Sequence, residues 1–170
     1  MSDSSETNAT ENQAPNRPPF MIIHQYLKDL SVEVPHAPGI FQMQPNNPEL
    51  SVNVDVTLEQ LSEQDFEISL HLNASSSQEG KIQHQTEMVY CAIVNVADMK
   101  AEMTQAILFI EIPRLIFPFA RQILTSSVIN TGFPPINLAP VDFVDMYRHR
   151  VEAAKAHVEK EKAAKETANA

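Results

Sequence analysis

Leu50-Ser-Val-Asn-Val-Asp-Val-Thr-Leu58, followed shortly by Phe66-Glu-Ile-Ser-Leu-His-Leu72, is the stretch that decides the fold. In the first run every second residue is apolar, so Leu50, Val52, Val54, Val56 and Leu58 share one face. In the second run Phe66, Ile68, Leu70 and Leu72 do the same, with Glu67, Ser69, His71 and Asn73 opposite. Successive side chains of a strand point to opposite faces, so a period of two that alternates apolar with polar predicts antiparallel strands with one wet face. Gln60 to Gln64 and Ser75 to Lys81 read as the hairpin connections.

Two further strands flank this pair. Phe20 to Val34 alternates weakly and stops at Pro35-His-Ala-Pro38-Gly39, where proline offers no amide proton to a ladder. Ile82 to Val96 contains Met88-Val-Tyr-Cys-Ala-Ile-Val94, which is apolar on both faces and needs cover on both, from the chain's own helices, another subunit or a ligand. The second half is helical. Met103 to Ile112 predicts a helix stopped by Pro113. Leu115 to Ile129 predicts one that is apolar nearly all round apart from Arg121 and Gln122, with Pro118 in its first turn. Such a helix belongs between layers. Asn130-Thr-Gly132 supplies its stop. Phe133 to Pro140, with three prolines in eight residues, is an extended crossover. Asp142 then caps a last helix that has Asp145 in its first turn and Phe143, Tyr147 and Val151 along one side. The fold class expected is α+β: a four-stranded antiparallel sheet with helices packed on one face.

The 170 residues divide into an expected disordered N-terminal tail (residues 1–19), one domain (20–151) and a helical or disordered C-terminal extension (152–170). Composition narrows the functional classes. Hydrophobic residues make up 43% and charged residues 20%, enough for a core, and no apolar run approaches the length of a membrane-spanning helix. The first residues have neither a basic nor an apolar signal segment, and Cys91 is the single cysteine, so a cytoplasmic protein is expected. Of the net charge of −10, residues 20–99 carry −9, with Lys28 and Lys81 facing eleven acids. That field disfavours nucleic-acid phosphates and suits either a basic partner or simply solubility. The six histidines show no HExxH spacing, and three glycines make no phosphate-cradling loop. Neither an enzyme, a metal site, a cofactor nor a nucleic-acid partner is expected.

Ile116-Phe-Pro-Phe-Ala-Arg-Gln-Ile123 and Gly132-Phe-Pro-Pro-Ile-Asn-Leu-Ala-Pro-Val-Asp-Phe143 closely resemble the bacterial protein-export chaperone family SecB, whose pattern is LFPYAR followed by FPxLNLAPVNF. Tyr26-Leu-Lys-Asp-Leu-Ser31 with Glu33, and Pro35-His-Ala-Pro38, extend the resemblance over residues 20–150. It implies a cytoplasmic homotetramer, a dimer of dimers, that holds unfolded precursor polypeptides and passes them to the SecA motor ATPase. The membrane is then met only indirectly, through the motor. A chaperone for toxin–antitoxin or other non-export clients, a structural oligomerisation domain and a small-ligand-binding protein are the competing readings.

Site residues follow from the resemblance. Asp29 and Glu33 match the acids that meet the motor on the flat face of the sheet. The family adds a further acid in a Leu-Cys-Glu step. The matching stretch here reads Val89-Tyr90-Cys91, which puts cysteine in place of that acid and leaves Glu87, four residues earlier, as a substitute. Phe41, Met43, Tyr90, Ile93, Phe133, Pro134 and Ile136 are the expected lining of a client groove, and Leu115, Phe119, Ile123 and Leu124 the expected subunit contacts.

Overall fold

The computed structural model describes residues 18–43 and 47–168, so the expected N-terminal tail lies outside the described residues except for Pro18 and Pro19. Strands β1 (Phe20–Glu33), β2 (Glu49–Gln60), β3 (Asp65–Gln78) and β4 (Lys81–Val96) form one antiparallel sheet in the order β1-β4-β3-β2. A short 3-10 turn, Gly39–Gln42, follows β1. Helices α1 (Ala101–Ala106), α2 (Ile112–Asn130) and α3 (Phe143–Ala168) follow the sheet, with a π turn at Ile107–Glu111 joining the first two. Their apolar side chains meet Ile68, Leu70, Leu72, Met88, Ala92 and Val94 on one face of the sheet, the inner face. This is the α+β arrangement that the alternating runs predict.

Four local expectations need correction. Ser75 to Lys81 is not a long connection. Strand β3 runs to Gln78, and only Glu79 and Gly80, with φ of 53° and 75°, make the turn. Two positive φ values suit a two-residue hairpin that follows the twist of its strands. The polar run stays in the ladder because Ser76 Oγ donates to Gln83 Oε1 at 2.8 Å and Gln83 Nε2 donates to Gln78 Oε1 at 3.0 Å.

Pro113 does not stop the first helix. The backbone passes through the π turn, where the Ile112 N–H reaches the Ile107 carbonyl five residues back. That wider turn makes room for a proline ring that would otherwise strike the carbonyl four residues before it. Pro118, expected in a first turn, therefore lies inside α2.

The face opposite the helices is not uniformly wet: Glu67, Ser69 and Cys91 are buried there. The reason lies in β1, whose register slips between Leu27 and Asp29. The extra residue of the bulge lets Tyr26 and Asp29, three apart, face the same side. Tyr26 then sits opposite Cys91 and reaches Glu67. A neighbouring strand thus covers Cys91, while Val89 and Ile93 on the same face of β4 stay half-buried.

Helix α2, finally, is not buried all round. Ile116, Ala120, Leu124 and Val128 recur every four residues on the core side, while Leu115, Phe119 and Ile129 face outward. Gly132, with φ of 88°, follows the helix as expected. Asp142 Oδ1 accepts the N–H groups of Val144 and Asp145, both at 3.0 Å, and so caps α3.

Candidate functional site

A helix is about 10 Å across and strands lie about 4.8 Å apart, so one helix covers roughly two strands. Helix α2 packs on β3 and β4, and the inner faces of the outer strands stay open on either side of it. Along β1, Leu30, Val32, Val34, Ala37 and Phe41 face Ser127 and Thr131 across a groove of about 570 Å³. Along β2, Leu50, Val52 and Val54 face Phe117, Leu138 and Val141 across one of about 370 Å³. Leu30, Val32, Leu50 and Val52 are all exposed, an apolar surface that a protein without a partner seldom leaves uncovered.

The expected groove residues are only partly brought together. Phe41 lines the β1 groove, and its ring stacks on Phe133 with centroids 5.2 Å apart. Exposed Pro134 follows Phe133 in the crossover, and half-buried Met43 follows the 3-10 turn that carries Phe41. Tyr90, Ile93 and Ile136 sit elsewhere. Tyr90 is buried on the inner face, where its hydroxyl donates to Gln25 Oε1 at 3.4 Å. Ile93, three residues on, necessarily faces the other side of the sheet, opposite His24. Ile136 belongs to the core, and its carbonyl accepts the Thr125 hydroxyl at 3.2 Å. The β2 groove escaped the sequence reading, although its signal is present: the apolar alternation of β2 runs longer than one helix can cover.

On the outer face the three acids do converge. Asp29 lies opposite Val89, Ser31 opposite Glu87, and Glu33 opposite Gln85. Glu87 thus sits on the neighbouring strand between the levels of Asp29 and Glu33, while Cys91 lies further along β4, opposite Tyr26. The register thus places Glu87 beside Asp29 and Glu33, on the same face of β4 as Cys91. All three are exposed, and four residues of strand spread them over roughly 13 Å. Such a row attracts a basic surface at low salt and less so at high salt.

Beside it is a paired cluster that the sequence did not reveal. Glu67, 6% exposed, accepts from the Tyr26 hydroxyl and from Lys28 Nζ, the latter at 2.7 Å. The Lys28 ammonium and the Tyr26 hydroxyl hold the Glu67 carboxyl below the usual range, and the bond to Glu67 pushes the Tyr26 phenol up. Cys91 lies fully buried 3.2 Å from the Ser69 hydroxyl, and burial raises its thiol pKa. That makes it a poor nucleophile. Among the described residues no group of three or more His, Cys, Asp or Glu side chains is placed to hold a metal ion, and no helix is long and apolar enough to cross a membrane.

The expected subunit contacts divide across α2. Leu115 and Phe119 are exposed on its outer side, joined by Ile129, and Ile123 is half-buried. Leu124 is fully buried in the chain's own core and cannot contribute a subunit contact.

Comparison with known proteins gives the family and the fold. The family model described as preprotein translocase subunit SecB matches residues 12–154. The protein-export protein SecB of Rhodospirillum rubrum is 42% identical over 155 residues, which cover 91% of this chain and 96% of that one. Its counterpart in Bradyrhizobium diazoefficiens is 38% identical over 149 residues, covering 88% and 92%. Among solved structures, the Mycobacterium tuberculosis SecB-like chaperone, determined in complex with an antitoxin-derived ChAD peptide, superposes with a TM-score of 0.60 at 12% identity, covering 72% of this chain and 90% of that one. At that identity the superposition speaks for the fold, whereas the two export proteins and the family model match along most of the sequence: the chain belongs to the SecB family.

Proposed function

We propose that the chain is a holding chaperone for protein export, which binds precursor polypeptides before they fold and delivers them to the SecA translocation motor. The observation that carries this reading is the pair of open apolar grooves flanking α2. Unfolded chains share apolar segments rather than a fixed sequence, and an open, largely apolar surface with few fixed polar requirements accepts many of them. Several weak contacts along one client then add through effective concentration. Chaperones of this family act by binding, not by catalysis.

The row of Asp29, Glu33 and Glu87 faces away from both grooves and is the proposed docking surface for the motor, so a client and the motor can be held at the same time. The outward stripe of Leu115, Phe119 and Ile129 is the proposed contact that assembles a homotetramer as a dimer of dimers. The cytoplasm is its proposed location, with the expected domain at residues 20–151. Export clients are favoured over antitoxin clients because the export proteins align at 42% and 38% identity, against 12% for the antitoxin-binding structure.

Mixing the protein with a slowly refolding precursor tests the reading. Arrest of refolding at about one tetramer per client supports it, and refolding at the uncatalysed rate in the presence of excess protein refutes it.

A further inference from the structure

The floor beside the β1 groove contains two polar groups that nothing in the fold uses. Among the described residues, His84 Nδ1 and Thr86 Oγ1 are buried without a hydrogen-bond partner. The two residues are 2% and 0% exposed. Buried polar atoms are paired in nearly all proteins, and leaving one unpaired is costly, so two neighbouring exceptions call for a physical account. Both lie on the inner face of β4, one strand in from the groove wall: Thr86 is opposite Val32, a residue of that wall.

The space above His84 is filled by the chain itself. The Phe133 ring lies 5.3 Å from the His84 ring, tilted against it, and 5.2 Å from the Phe41 ring, stacked on it. Phe133 comes from the proline-rich crossover, whose bonds from α2 go to the Ile136 and Leu138 carbonyls further along, and Phe133 itself is only half-buried. Phenylalanine packs against both rings but offers nothing to the unpaired polar atoms. Any incoming ring that displaced it would recover both ring contacts.

We propose that His84 and Thr86 form a subsite of the client groove that is selective for tyrosine, with Phe133 as its resident stand-in. A client tyrosine takes the place of the Phe133 ring, its hydroxyl donating to His84 Nδ1 and accepting from the Thr86 hydroxyl. The two residues are two positions apart on one strand, so their side chains rise side by side from the same face. Burial holds the His84 imidazole below its usual pKa and so keeps it neutral, as an acceptor must be. A client phenylalanine stacks equally well but leaves both atoms unpaired. A site built to bond a hydroxyl rejects the analogue that lacks one.

This subsite rests on the chaperone reading, and the test separates the two. Two unstructured peptides that differ only by Tyr or Phe at one apolar site are titrated against the wild-type protein and against Thr86→Val and His84→Phe, each first shown by circular dichroism to fold. The expected result is about tenfold tighter wild-type binding of the Tyr peptide, with the preference lost in either variant and Phe-peptide affinity kept. Thr86→Val, close in shape to the wild type, keeps the test open if His84→Phe fails to fold. Equal wild-type affinity for both peptides overturns the tyrosine subsite and leaves the chaperone intact. No binding of either peptide overturns both.

Discussion

Replacing Phe119 with alanine should dissociate the assembly without unfolding the subunit, whereas replacing Leu124 should do the reverse. The two residues lie five apart on α2 and differ in exposure, Phe119 at 50% and Leu124 at 0%. Fully burying a Leu, Ile or Phe side chain contributes about 1.5–3 kcal/mol. With Leu115, Phe119 and Ile129 already half covered at 47%, 50% and 51% exposure, each has only part of that still to gain. The remainder is roughly 1 kcal/mol apiece, and a two-fold contact counts every residue twice, for a gross gain of about 6 kcal/mol. Phe119→Ala removes two copies, about 2 kcal/mol, which is roughly a 30-fold rise in the dissociation constant. Leu124→Ala instead leaves a cavity in the core at a cost of about 2–5 kcal/mol in subunit stability. Sedimentation equilibrium over a hundredfold dilution reads the first effect, and urea denaturation of the dilute subunit reads the second. A Phe119→Ala protein that keeps its full mass on dilution while losing subunit stability would refute the assignment of the outer stripe to assembly.

Three further outcomes follow from the site geometry. Asp29→Lys combined with Glu33→Lys should weaken motor binding at least tenfold, measured by calorimetry at low salt, and leave client affinity unchanged, because the substituted face is turned away from both grooves. Val32→Ser should lower client affinity several-fold with little change in melting temperature, since Val32 is exposed in the β1 groove. The Glu67 cluster gives a pH dependence: its folded-state pKa lies below the ordinary 4.5, so its stabilising contribution is complete above that value and is lost as pH falls through the lowered one. Glu67→Gln should therefore be less stable than wild type at neutral pH, with the gap narrowing in urea denaturation as the pH is taken below 4.5.

Strand periodicity and helix punctuation carried most of the fold. The alternating runs of β2 and β3, Gly132 after α2 and Asp142 before α3 were readable because each acts through its immediate neighbours. What was not readable depends on long-range packing. The passage of the helix through Pro113 needs a π turn that no local pattern announces, and the burial of Glu67 depends on a bulge that turns Tyr26 toward it from a strand 41 residues away in sequence. The acids were legible as a group because a strand period of two already places Asp29 and Glu33 together, while the position of Glu87 between them required the β1–β4 register. The groove was legible only near Phe41 and Phe133. Tyr90 and Ile136 look no different in the sequence from Phe41 and Phe133, and only the packing of the helices and crossover on the sheet puts them in the core.

The most direct measurement of the central claim compares the affinity of the protein for one precursor in two states, urea-unfolded and diluted at the moment of mixing, or already folded. Submicromolar binding of the unfolded form and none of the folded form is the predicted result. Equal affinity for both forms, or for neither, would contradict it.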